Sequence, residues 1–125
     1  MDKTALVSFD IENGQRILDA LDQDGKSPDV ALWAVLPQYE DWRLVVASKN
    51  LDRRSTGISE MNAALRKANI GWNNRPTIFL RSVDEPFIRD LREVFSSSND
   101  TYGMRLGGQK FGDQYIEDAF VYRIR

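Results

Sequence analysis

The sequence predicts one α+β domain, a roughly five-stranded, mostly antiparallel sheet packed by three helices in the order α-β-β-α-β-α-β-β. Three observations lead there. Stretches with helical apolar spacing alternate with short runs rich in Val, Leu, Ile and aromatic residues. Gly, Pro, Asn and Asp punctuate the boundaries. Two pairs of strand-like runs are joined by connections short enough for hairpins. No repeat, low-complexity tract or linker interrupts the 125 residues, so residues 1–125 are read as a single domain around one hydrophobic core.

The first helix is read from "SFDIENGQRILDALDQDG". Ile11, Gly14, Ile17, Leu18 and Leu21 share one side, Ser8 or Asp10 serves as the N-cap, and Gly25 is the stop. Gly14 costs roughly 1 kcal/mol relative to Ala inside a helix, so its presence points to a close packing contact. A hairpin follows, with strands at 30–36 and 42–49 joined by "PQYED". Pairing Leu36 with Arg43 puts Ala31, Trp33, Val35, Leu44 and Val46 on one face and Leu32, Ala34, Leu36, Val45 and Ala47 on the other. Both faces are apolar, which places the hairpin mid-sheet, covered by helices or by a partner chain.

"STGISEMNAALRKANIGW" gives a second helix with Ile58, Met61, Leu65 and Ala68 inward and Gly71 as its stop. "RPTIFLRS" gives a third strand, opening at Pro76. The third helix is capped by Ser82 or Asp84, carries Pro86 in its first turn, and buries Phe87, Ile88, Leu91, Val94 and Phe95. "YGMRLGGQKFGDQYIEDAFVYRIR" closes the chain as a second hairpin turning at Gly112-Asp113.

That hairpin carries the main candidate site. Its register sets Gly107 across from Asp118, Gly108 from Glu117 and Arg105 from Phe120, and puts Asp118 on one face with Ile116, Phe120, Tyr122 and Ile124. A carboxylate on an apolar face needs an explanation. Three stay open. A bulge at Gly107-Gly108 could turn Asp118 to solvent. A buried ion pair with Arg105 or Arg81 could satisfy it. Glu117 or Asp118 could serve a ligand or metal, although neighbours on one strand point to opposite faces and do not jointly hold one ion. A second candidate, for an anion, is Lys49, Arg53 and Arg54 with Ser55 or Thr56 at the start of the second helix; its bland reading is a capped helix with solvated arginines.

Composition excludes much chemistry. With no Cys and no His there is no disulfide, no thiolate nucleophile, no His-containing triad and no zinc site of the nitrogen–sulfur kind. A metal would need oxygen ligands, and a general acid or base would have to be a carboxylate, Lys or Tyr. No cofactor motif is present, so none is expected. The net charge of −2 conceals a gradient, with −6 over residues 1–41, +6 over 42–81 and −2 over 82–125. Such blocks mark an anionic partner, head-to-tail association, or segments that neutralise one another once folded. Trp72, Arg75, Arg66 and Lys67 offer a grip for a single strand, but nucleic-acid binding is not expected from a slightly acidic chain without a recognition motif. The longest apolar run, "VALWAVL", is too short to cross a bilayer and the N-terminus lacks a signal-peptide pattern, so a cytoplasmic protein is expected.

"GQRILDALDQDG", "ALWAVLPQYEDWRLVVAS" and "YIEDAFVYRIR" resemble corresponding pieces of a family of small uncharacterised bacterial proteins, in which an ALW strand, an E-x-W-R-L strand and a terminal Y-I-E-D-A-x-x-Y-R strand recur. The resemblance implies a bacterial single domain and carries over no catalytic residue. The function expected is a non-catalytic interaction module that self-associates or binds a protein partner, with the first hairpin near the contact surface. The competing class is a metal-dependent or nucleic-acid-associated enzyme using Glu117 and Asp118 with Arg81 or Arg105.

Overall fold

The computed structural model describes residues 6, 8–52, 55–71, 76–98 and 100–125. In chain order the elements are α1 (Ser8–Gln23), β1 (Val30–Val35), β2 (Arg43–Ala47), α2 (Gly57–Lys67), β3 (Ile78–Arg81), α3 (Pro86–Val94), β4 (Arg105–Leu106), β5 (Gln109–Phe111), β6 (Gln114–Ile116) and β7 (Asp118–Ile124). One sheet runs β3-β2-β1-β7-β4, with β5 and β6 as a separate ribbon. Only the β2–β3 pair is parallel. The α+β class and the order of helices and strands follow the sequence, with the final hairpin divided into four short strands.

The sheet has two buried faces. Against one pack Ile17, Leu18 and Leu21 of α1 and Met61 and Leu65 of α2, meeting Ala31, Trp33, Leu44 and Val46. Against the other pack Phe87, Ile88 and Leu91 of α3 with Phe111 and Ile116 of the ribbon, meeting Leu32, Ala34, Val45 and Val121. Every residue of β1 is buried, which accounts for a strand that is apolar on both sides. The first hairpin is therefore covered by the chain's own helices, and the expected contact surface there is corrected. The pairing is also corrected, because Arg43 lies opposite Ala34 rather than Leu36. Leu36 instead enters the turn, where its carbonyl accepts the Tyr39 N–H at 3.0 Å. A shift of two residues leaves each side chain on its expected face, so the face assignment survives the error.

Two helix ends, and the buried side of each of those helices, differ locally from expectation. The second helix stops at Asn69, whose φ of 61° allows the Ile70 N–H to reach the Leu65 carbonyl at 2.9 Å, so Gly71 is not the stop. Ile58 is 50% exposed and Ala68 is exposed, so the buried stripe is Gly57, Met61, Ala64 and Leu65. In α3 the cap position is Glu85, whose carboxylate accepts the Ser82 N–H at 2.6 Å, and Val94 faces solvent.

The largest departure lies in β7. Ala31 pairs with Arg123 and Leu32 with Val121, so Tyr122 is an extra residue in the ladder. The bulge aims Tyr122 and Arg123 together at α1. The Tyr122 hydroxyl donates to the Ile11 carbonyl at 2.6 Å and accepts from Trp33 Nε1 at 2.8 Å. Burial pushes that phenol far above its ordinary pKa, with the Trp33 bond acting the other way, so it stays protonated. Arg123 grips the far end of α1 through Asp22, at 2.9 Å and 3.2 Å, and also donates to Ser27 Oγ and the Pro28 carbonyl. Ile124 then falls on the α3 face, and a second break at Glu117 puts Ile116 there too. The expected apolar stripe containing Ile116, Asp118 and Ile124 is corrected accordingly.

Gly14 sits where α1 crosses this pair. A Cβ built there would run into the Tyr122 hydroxyl and lie 3.1 Å from Trp33 Nε1. Gly14→Ala is expected to lose about 1–3 kcal/mol of stability from overpacking, despite the gain in helix propensity; a urea titration showing equal or greater stability would refute the close contact. For Asp22, burial alone would raise the carboxyl, but hydrogen bonds from Arg123 and Ser27 and the charges of Arg123 and Arg125 hold it below its ordinary value. A depressed folded pKa stabilises above the unfolded value of about 4, and that stability disappears as pH falls through the folded one. Asp22→Asn should cost about 1–2 kcal/mol near neutrality, with the gap to wild type closing in acid. Parallel stability profiles from neutral pH down to acid would discard this linkage.

Candidate functional site

The predicted site residues divide between opposite edges of the sheet. Arg105 and Asp118 meet on the β4 edge, while Arg81 lies on β3 at the other edge, with three strands between them. Arg105 Nη2 donates to Asp118 Oδ2 at 2.7 Å and Nε to the Ala119 carbonyl at 3.0 Å, and Asp118 Oδ1 accepts the Ala119 N–H. The guanidinium also stands 6.0 Å from the Trp42 ring. With the side chains of Arg105 and Asp118 56% and 42% exposed, the pair is a surface salt bridge, not a buried one.

The expected bulge at Gly107-Gly108 is corrected to an interruption of the ladder without an extra residue, because two residues stand on each strand between Leu106–Ala119 and Gln109–Ile116. Arg105 faces Phe120 and Phe111 faces Gln114, so the predicted register holds on both sides of it. Between them the ladder is interrupted: Gly108 takes φ 65°, and a Cβ at Gly107 would lie 3.1 Å from the Glu117 carbonyl. Glu117 is exposed and its N–H donates to the Val35 carbonyl at 2.9 Å. Beyond the break the ribbon docks on α3, where the Gly112 N–H donates to Asp90 Oδ2 at 2.8 Å. Glu117 and Asp118 do not converge on one ion, and among the described residues no cluster of three or more acidic side chains is arranged to hold a metal.

At the proposed anion pocket the Asp52 carbonyl accepts the N–H groups of both Ser55 and Gly57, each at 3.0 Å, and so fills the start of α2 itself. Of Ser55 and Thr56, Thr56 occupies the cap position, and its hydroxyl donates to Glu60. The Lys49 N–H is taken by Asp29. Arg53 and Arg54 lie outside the described residues, as do Trp72 and Arg75 of the single-strand grip. Lys67 pairs with Asp24 at 2.8 Å.

A cluster not anticipated from the sequence lies at the β3 edge. Arg43 lies against both Tyr39 and Phe79, its Cζ 5.0 Å and 5.8 Å from their ring centroids. Arg81 lies 5.0 Å from Phe79. The two rings meet edge to face at 4.9 Å. Cation–π contact of this kind contributes about 0.5–1 kcal/mol at an exposed site and leaves the N–H groups of the guanidinium unspent. Neither guanidinium forms a hydrogen bond or ion pair among the described residues, and Arg43 Nε is buried without an acceptor. Beside them lies a cleft of about 250 Å³ lined by Arg81, Glu85, Phe87, Asp113, Gln38 and Gln114, among others. Its wall is stiffened by the amide pair Gln38–Gln114, bonded in both directions at 3.3 Å and 3.1 Å. The "FLR" spacing of Phe79 and Arg81 was visible in the chain, but the parallel pairing that brings Arg43 beside them was not.

No family model, curated protein or solved structure matches this chain. Its chemistry is read from the two arginine–aromatic edges alone. Asp118→Asn is expected to change stability by no more than about 1 kcal/mol, as for an exposed ion pair. A larger drop in a thermal melt would restore the buried reading of Asp118.

Proposed function

We propose that this chain is a non-catalytic binding module whose partner is another protein. The observation that supports it is the pair of guanidiniums, Arg43 and Arg81, flanking Phe79 without an anionic partner among the described residues. Arginine and aromatic side chains dominate the energetics of protein interfaces, because a planar cation with its body already packed loses little freedom when an acceptor arrives. The second edge carries the same residue types, with Trp42, Arg105, Phe120 and an exposed Tyr102 that meets Phe120 edge-on at 5.7 Å.

Self-association has less in its favour. The doubly apolar hairpin is spent inside the chain, and positive clusters on two identical surfaces repel. Sedimentation equilibrium should therefore return the 14.3 kDa mass of one chain; a stable dimer would replace the heterologous partner with a second copy. The reading itself is tested by peptide display on immobilised wild type and on the doubly substituted R43Q/R81Q variant, whose folding is checked by its melting curve. Enriched sequences that bind wild type and are lost on the folded double variant are expected. Selection that enriches nothing, or enriches both proteins alike, overturns it.

A further inference from the structure

Resting on the reading of a protein-binding module, we infer that the segment received at the β3 edge is an extended, acidic peptide with carboxylates at alternate positions. β3 is an outer strand, paired on one side only, with β2. The Thr77 carbonyl accepts the Leu44 N–H at 3.0 Å, so by alternation the N–H and C=O of the half-exposed Ile78 turn away from β2. Among the described residues no backbone hydrogen bond from outside the β2–β3 pair reaches Ile78. An edge of this kind accepts an extended chain.

Charge selects which chain. Arg43 and Arg81 rise from the same sheet face on neighbouring strands, their guanidiniums 5.8 Å and 5.0 Å from the Phe79 ring centroid. Side chains at i and i+2 of an extended peptide project from one face about 7 Å apart, a spacing that lets two carboxylates address two guanidiniums while the intervening residue faces away. A helix would turn its neighbouring acids to other directions. Glu85 and Asp113 line the inner cleft, and the Glu85 carboxylate is held by the Ser82 N–H. They share that cleft with Arg81, and their negative charge disfavours an acidic ligand deep inside it, leaving the approach along the β3 edge. Arg105, already bonded to Asp118, offers no comparable site at the opposite edge.

The test is fluorescence anisotropy with a short labelled peptide alternating Thr and Glu, against a peptide of the same composition with its Glu residues grouped together, and against labelled single-stranded DNA. Wild type should bind the alternating peptide most tightly, and R43Q/R81Q should weaken it by about tenfold or more, as for loss of charge-assisted hydrogen bonds. Arg66→Gln, on the exposed side of α2, should leave Kd unchanged. Equal affinity for the grouped peptide, tighter binding of the DNA, or an equal loss in the Arg66 variant would overturn the inference. Display sequences that depend on Arg43 and Arg81 but lack acids would also overturn it while leaving the protein-binding reading intact. Display that enriches nothing would remove both.

Discussion

The bulge in β7 is the constraint on which the arrangement depends. An undisturbed β7 would send Tyr122 and Arg123 to opposite faces of the sheet. The extra residue turns both toward α1, so that the helix is held near Ile11 by a phenol and near Asp22 by a guanidinium. Those two bonds fix the azimuth of α1 as well as its position, because they lie eleven residues apart on one helix. Gly14 sits between them and allows the helix backbone to approach the Tyr122–Trp33 pair. The same strand carries Asp118 at its other end, so the geometry of the β4 edge is set by the ladder that anchors α1.

Charge follows a similar logic of disposal and remainder. The acidic first third and the basic middle of the chain do interleave, as Lys67 with Asp24 shows, and Asp22 is consumed by Arg123. Arg105 is consumed by Asp118. Arg43 and Arg81 are different. Their cations are stacked on rings rather than paired with acids among the described residues, at one edge of the sheet. Their contact with aromatic rings at the edge of a sheet, rather than the lack of an acid alone, sets them apart.

Much of the fold was legible in local pattern. Phe87, Ile88 and Leu91 announced the buried side of α3, and the glycine at 14 announced its contact. The turn at Gly112 and the register of the final ribbon could be read because the hairpin is local and its turn positions the strands directly. Of the candidate site, the Arg105–Asp118 pairing was legible for the same reason, but the sequence left open whether Asp118 is buried or turned to solvent. Exposure depends on how much of the sheet α1 and α2 cover, and helices placed from elsewhere in the chain decide that.

What the sequence determined by itself is the set of elements and the faces of the central hairpin. Those faces withstand a register error of two residues, since side-chain direction repeats with that period. Tertiary structure decided the parallel union of β2 with β3, and with it the meeting of Arg43, Phe79 and Arg81. It also decided the bulge. Val121, Tyr122 and Ile124 are all apolar or aromatic, so nothing in their order states which of them leaves the alternation. Periodicity records the direction of a side chain relative to its neighbours along the chain; partners across the sheet are chosen by packing that no local pattern contains.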